Sequence, residues 1–210
     1  MELTKYDIPG FTSDGQLDFI TALANSLPMN SNVIEVGIGL GRSTFAWLDG
    51  LNPKSTLNAI DNFRMGYDPI IELKEKNDDN ITPEKMKLYD YFFKHGQYAS
   101  FLYNINRHHN KDIINNIFSI RSDEYIDSRY NNIFNCVYLD GSHDYSMVMK
   151  ELEYFRNSEL ICGDDYMSSR HPGVTEAVNN FCEKWNKKLN FNRQHNFFVI
   201  GDISGRFKME

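Results

Sequence analysis

The apolar positions of this chain follow two rhythms. From Asp14 to Leu27 they recur at helical spacing, with Leu17, Ile20, Leu23, Ala24 and Leu27 on one stripe, Asp14 read as the N-cap and Pro28 as the stop. A second helix is predicted from Arg42 to Leu51, closed by Gly50 and Pro53, and further helices over 83–94, Ser100–Arg107 and Val174–Trp185. In the last of these, Val174, Val178, Phe181 and Trp185 share a face and are expected to be core. Between the helices stand short apolar runs of strand type: Val33 to Val36, Ser55 to Asp61, a third within Asp112 to Ile120, Asn132 to Leu139, and Glu159 to Gly163. Strands alternating with helices predict an α/β fold around a parallel sheet. The tail from Asn196 to Asp202 predicts a final strand, paired antiparallel with a short one near Leu189 to Arg193.

One stretch breaks the alternation. Asn62 to Tyr98 runs through the polar KEKNDDNITPEK into the aromatic KLYDYFFKHGQY, too long for a plain loop in a compact domain. It is expected to be a substrate-side insertion at about 62–98 in an otherwise single domain spanning 1–210. Its Tyr89, Tyr91, Phe92, Phe93 and His95 either line a pocket or belong to the core.

Composition narrows the class. At 210 residues, 41% hydrophobic and 14% aromatic, the chain can close one sizeable core. No apolar run is long enough to span a bilayer, and MELTKYDIPG lacks a charged-then-apolar leader, so a cytoplasmic protein is expected. Cys136, Cys162 and Cys182 are odd in number and not spaced for zinc, which predicts free thiols in a reducing compartment. A net charge of −7 argues against duplex nucleic acid as substrate and leaves a small-molecule or glycan acceptor. Association into a homo-oligomer stays open.

The candidate chemistry starts in VIEVGIGLGRST, Val33 to Thr44. A dinucleotide fingerprint wants its third glycine where this chain has Arg42; here Gly37, Gly39 and Gly41 instead fall on every second position. Such a turn lets a nucleoside approach the backbone, and the amides at the following helix start face an anionic group. Ser43 and Thr44 stand where hydroxyls can bond a ligand carboxylate. Asp61 ends the second strand twenty residues beyond Gly41, where a carboxylate can accept both hydroxyls of a ribose. Asp140 ends the NIFNCVYL strand and the Asp164–Asp165 pair ends the next, so in a doubly wound sheet all three acids face one crevice. Three carboxylates so placed call for a cation, and an all-oxygen set suits Mg²⁺. His143, three residues after Asp140, is the candidate general base.

With Glu35, the glycine pattern E-x-G-x-G-x-G resembles motif I of class I S-adenosylmethionine-dependent methyltransferases. DGSHDY, ICGDDY and GVTEAVNNF resemble the macrocin O-methyltransferase family and related small methyltransferases with a D-G-x-H loop, over about Val33 to Phe181 without the insertion. The resemblance implies a Rossmann-like, doubly wound seven-stranded sheet, mostly parallel with an antiparallel C-terminal strand. It implies S-adenosylmethionine held by Glu35, Gly37, Gly39, Gly41, Ser43, Thr44 and Asp61, with Ser122 and Asp123 at the adenine. It maps the metal acids onto Asp140, Asp164 and Asp165, and implies methyl transfer to a hydroxyl of a sugar, glycan or small metabolite. The second acid that the family often carries two residues after the first is Ser142 here, so its base does not transfer and His143 stands alone. A non-catalytic binding module of the same fold and a nicotinamide-dependent oxidoreductase are the competing readings.

Overall fold

The structure, a computed structural model, describes residues 3–76, 81–128 and 133–205. Residues 77–80 of the polar run, and Asn132 at the start of the fourth predicted strand, lie outside the described residues. The elements run α1 (Asp14–Ser26), β1 (Asn32–Val36), α2 (Arg42–Gly50), β2 (Thr56–Ile60), α3 (Tyr67–Lys76), α4 (Pro83–Ile105), β3 (Ile114–Phe118), α5 (Ser122–Asp127), β4 (Cys136–Leu139), α6 (Tyr145–Tyr154), β5 (Leu160–Gly163), α7 (Pro172–Trp185), β6 (Leu189–Asn192) and β7 (Phe197–Ile200).

These strands form one seven-stranded sheet in the order β3-β2-β1-β4-β5-β7-β6. The first five are parallel, while β7 runs antiparallel to both β5 and β6. Strand side chains alternate between two apolar layers, the mark of a sheet covered on both faces. Val33, Cys136, Tyr138, Leu160 and Cys162 join the layer under α1, α2 and α4. Ile34, Val36, Val137, Leu139 and Ile161 join the layer under α5, α6 and α7. All three cysteines are free and buried, as expected, and the sulfurs of Cys136 and Cys162 lie 3.7 Å apart on neighbouring strands. No helix among the described residues is long and apolar enough to cross a membrane.

Several local expectations need correction. The N-cap of α1 is Ser13, not Asp14: the Ser13 hydroxyl accepts the Gln16 N–H at 3.3 Å and the Gln16 side chain accepts the Ser13 N–H at 2.7 Å, a reciprocal capping box. Asp14 instead pairs with Arg42 at 2.5 Å. Trp185 is 40% exposed rather than core, because its indole N–H donates to Glu153 at the rim at 3.0 Å; Ala177 and Cys182 join the buried face of α7 in its place. The two helices predicted over 83–94 and 100–107 are one element, α4, interrupted only at Gly96 (φ 80°). Helices α3, α5 and α6 were not read from the sequence. Of the aromatic run, Tyr89 and Phe92 are fully buried core, Tyr91 stacks on Tyr103 at 4.0 Å, and His95 is exposed.

Candidate functional site

Strand register sets the site. Val36 stands level with Ile60 and with Leu139, and Leu139 with Gly163. The residues that follow, Gly37, Asp61, Asp140 and Asp164, therefore leave the sheet along one edge. The chain order reverses between β1 and β4 there, where α/β sheets open a crevice at the carboxyl ends of their strands.

Gly37 must be glycine: its φ is 86°, and a Cβ would lie 2.2 Å from the Asp140 carbonyl oxygen. Gly39 faces mostly open space instead, since a Cβ there meets nothing nearer than the Met65 methyl at 3.6 Å, which leaves the turn approachable. Gly41 starts α2 in the left-handed region. Glu35 is fully buried behind the turn and accepts the Thr44 hydroxyl at 2.7 Å, while burial pushes its carboxyl up to about 7. The Thr44 hydroxyl, expected to face a ligand carboxylate, points inward to Glu35 in this structure. Ser43 is buried beside it.

Arg42, noticed in the sequence only as a missing glycine, is a buried clamp. Its guanidinium donates to the carbonyls of Lys5, Tyr6, Ile8 and Thr12 and to Asp14, fastening the N-terminal segment across the start of α2. Asp61 accepts the N–H groups of Ile38 and Gly39 on one oxygen (2.8 and 3.1 Å) and that of Phe63 on the other (2.6 Å). The strand-two acid thereby holds the glycine turn in shape. Ser122 and Asp123 open α5 beyond β3, with Asp123 held by Arg121 at 2.9 Å.

On the other side of the switch point, Asp140, Asp164 and Asp165 bring carboxylate oxygens within 4.8 Å of one another. Asp140 keeps some solvent contact, yet its carboxyl group is desolvated; that burial, followed by repulsion from Asp164 and Asp165, holds it well above the usual carboxylate range. Burial likewise lifts Asp164 to about 7, although its oxygen accepts the Gln16 amide at 2.5 Å and the Asp165 N–H at 2.6 Å. Asp165 feels the same burial, but its hydrogen bond to His143, the charges of His143 and His171 and a hydrogen bond from Ser168 together outweigh it, and the carboxyl titrates below its ordinary value. The His143 Nε2 lies 2.8 Å from Asp165, a contact that raises the imidazole. His171 stacks on His143 at 4.0 Å with its Nε2 3.9 Å from the same carboxylate oxygen. Asp165 adopts this position with φ 61°, a backbone conformation uncommon for a non-glycine residue.

Sequence reading missed Gln16, which ties α1 to Asp164, and Glu151, a fully buried acid on α6 that burial pushes up to about 7. It also missed Gln97, which reaches the glycine turn from α4.

No protein-family profile matches the chain, and no curated protein matches it in sequence. Solved structures do. A putative O-methyltransferase from Klebsiella pneumoniae superposes with a TM-score of 0.57 at 12% identity over 90% of this chain and 80% of that one. An O-methyltransferase from Bacillus cereus in complex with SAH gives 0.54 at 13% identity over 91% and 83%. The apo TDP-rhamnose 3′-O-methyltransferase of calicheamicin biosynthesis gives 0.55 at 12% identity over 90% and 81%. With its strand order, antiparallel β7 and glycine turn at the switch point, the chain has the Rossmann-like fold of the class I S-adenosylmethionine-dependent O-methyltransferases.

Proposed function

We propose that the chain transfers the methyl group of S-adenosylmethionine to a hydroxyl oxygen, with a divalent metal, Mg²⁺, held by Asp140, Asp164 and Asp165. The observation that carries this reading is the meeting of those carboxylates and His143 on the sheet edge that also bears the glycine turn. Asp61 takes the ribose, Glu35, Gly37, Gly39, Gly41 and Ser43 the methionine end, Ser122 and Asp123 the adenine edge, and Thr44 acts through Glu35.

The donor set fits a hard cation: three carboxylates within ligand distance of one another, two of them pushed up by crowding and burial. Bound there, a magnesium ion supplies Lewis acidity toward an acceptor oxygen. The protein's own part is proton transfer and positioning. Asp165 can only accept from His143 Nε2, which fixes the neutral tautomer and leaves Nδ1 free to take the acceptor's hydroxyl proton. The acceptor oxygen then bonds the methyl carbon as the sulfur–carbon bond breaks, leaving S-adenosylhomocysteine. A sugar, glycan or small-metabolite hydroxyl is the acceptor class, supported by the macrocin-type motifs and by a neighbour of the same fold that methylates TDP-rhamnose. The 62–98 segment supplies the acceptor-side wall of the single domain, and the free thiols suit a cytoplasmic location.

Thermal melting with S-adenosylhomocysteine, NAD⁺ and NADP⁺, each with and without Mg²⁺, tests the reading. A ligand at about a hundred times its Kd adds about 2.7 kcal/mol, a visible shift for a domain of this size. Stabilisation by S-adenosylhomocysteine, increased by Mg²⁺, is expected. A response to a nicotinamide cofactor alone overturns the proposal, and silence from every ligand favours a binding module.

A further inference from the structure

Asp61 is crowded. A carboxylate offers about four lone-pair sites, and three are filled by the backbone N–H groups of Ile38, Gly39 and Phe63. The fourth partner is the Gln97 amide, whose Nε2 is shared between the two carboxylate oxygens at 3.3 Å each. The same nitrogen donates to the Gly39 carbonyl at 3.1 Å, and Oε1 accepts the Met65 N–H at 2.8 Å. That pair of bonds fixes which end of the amide faces Asp61. Gln97 is 5% exposed and follows Gly96, where α4 is broken. Nothing lies within 4 Å of a Cβ built at Gly96, so its φ of 80° is what demands glycine. The break restarts the helix so that Gln97 points back into the glycine turn.

A hydroxyl is both donor and acceptor, whereas Asp61 can only accept. A vicinal diol that donates to Asp61 therefore needs separate donors for its own lone pairs. The three backbone N–H groups are held by the turn; the amide of Gln97 is the side-chain donor at the same carboxylate, and its long, shared bonds are the ones most readily exchanged. We propose that Gln97 is a nucleoside-binding residue that donates from Nε2 to a ribose hydroxyl bound at Asp61, so that the helix filling the insertion supplies part of the cofactor site. This rests on the reading of Asp61 as the ribose acid. It assigns to α4 a binding task that is separate from any contact with the acceptor.

Calorimetric titration of the full chain with S-adenosylhomocysteine and with its 2′-deoxy and 3′-deoxy analogues tests the assignment. Wild type is compared with Gln97→Met, which keeps the shape without the donor, and with Gln97→Asn, whose amide falls short of the carboxylate. Agreement of far-UV circular dichroism with wild type selects the variant to be scored. Wild type is expected to lose about tenfold in affinity for at least one deoxy analogue, and the variant to bind S-adenosylhomocysteine about three- to tenfold more weakly. The decisive sign is that the deoxy penalty shrinks in the variant, because the hydroxyl and the amide are partners. A residue that merely shapes the turn weakens all three ligands equally, and that result overturns the role of Gln97 while sparing the cofactor reading. No binding of S-adenosylhomocysteine by wild type overturns both.

Discussion

Asp165 links the proton-transfer and metal-binding halves of the proposed site. One side chain orients His143 and also completes the carboxylate trio, so the roles are separated through its neighbours. Asp164→Ala is expected to lower methyl transfer by at least about a hundredfold while S-adenosylhomocysteine still binds; unchanged turnover would refute a metal role for that residue. His143→Gln is expected to slow transfer and to recover in part at high pH, where the acceptor ionises unaided. A wild-type pH–rate profile in that variant would dismiss His143 as base. Glu151 sets a test that needs no substrate. Burial lifts its carboxyl to about 7, so the folded state binds that proton more tightly than the unfolded chain does. The associated stability is present below the ordinary glutamate range and is lost as pH rises through about 7. Glu151→Gln should therefore gain on wild type at pH 8.5 relative to pH 5.5 by roughly 2 kcal/mol in denaturant melts. An equal difference at both pH values would contradict the assignment.

At the scale of elements, the glycine turn and its clamps act together. Gly37→Ala adds a methyl group against the Asp140 carbonyl at a positive φ, and is expected to cost at least about 2 kcal/mol in chemical unfolding. Arg42→Gln removes the charge that gathers four carbonyls and Asp14, and should raise proteolytic cleavage within residues 4–12 by at least about tenfold, followed by mass spectrometry. Cleavage no faster than wild type would mean that the segment is held by packing alone.

These elements were not equally legible in the sequence. The strands and their terminal acids were readable because the sheet is buried on both faces and its ends are level, so an apolar run followed by Asp marks the site edge. The capping box at Ser13 was readable too, since S-x-x-Q is its signature, but Asp14 masked it. Helix α6 begins inside DGSHDY, where the run of polar residues reads as loop. Helix α4 was legible as two pieces, but not how its aromatics divide, because Tyr89 and Phe92 serve as core and Tyr91 in an outer stack, which blurs a single stripe. Gln97 left no signal at all: one glutamine after one glycine acquires meaning only once the fold brings it to Asp61, 36 residues away.

Across the whole molecule, the two apolar layers share the sheet as their common wall, and the proposed cofactor crevice is its upper rim. The sulfurs of Cys136 and Cys162 sit 3.7 Å apart inside that wall, both fully buried, on adjacent central strands. Reaching either thiol with an alkylating reagent means parting β4 from its neighbours, which is the global opening of the domain rather than fraying at an edge. The pair is therefore a built-in clock for cooperative unfolding. Labelled by a maleimide and counted by mass, both sulfurs should react in step, at a rate set by the stability of the entire sheet, and any ligand that tightens the rim should slow the two equally.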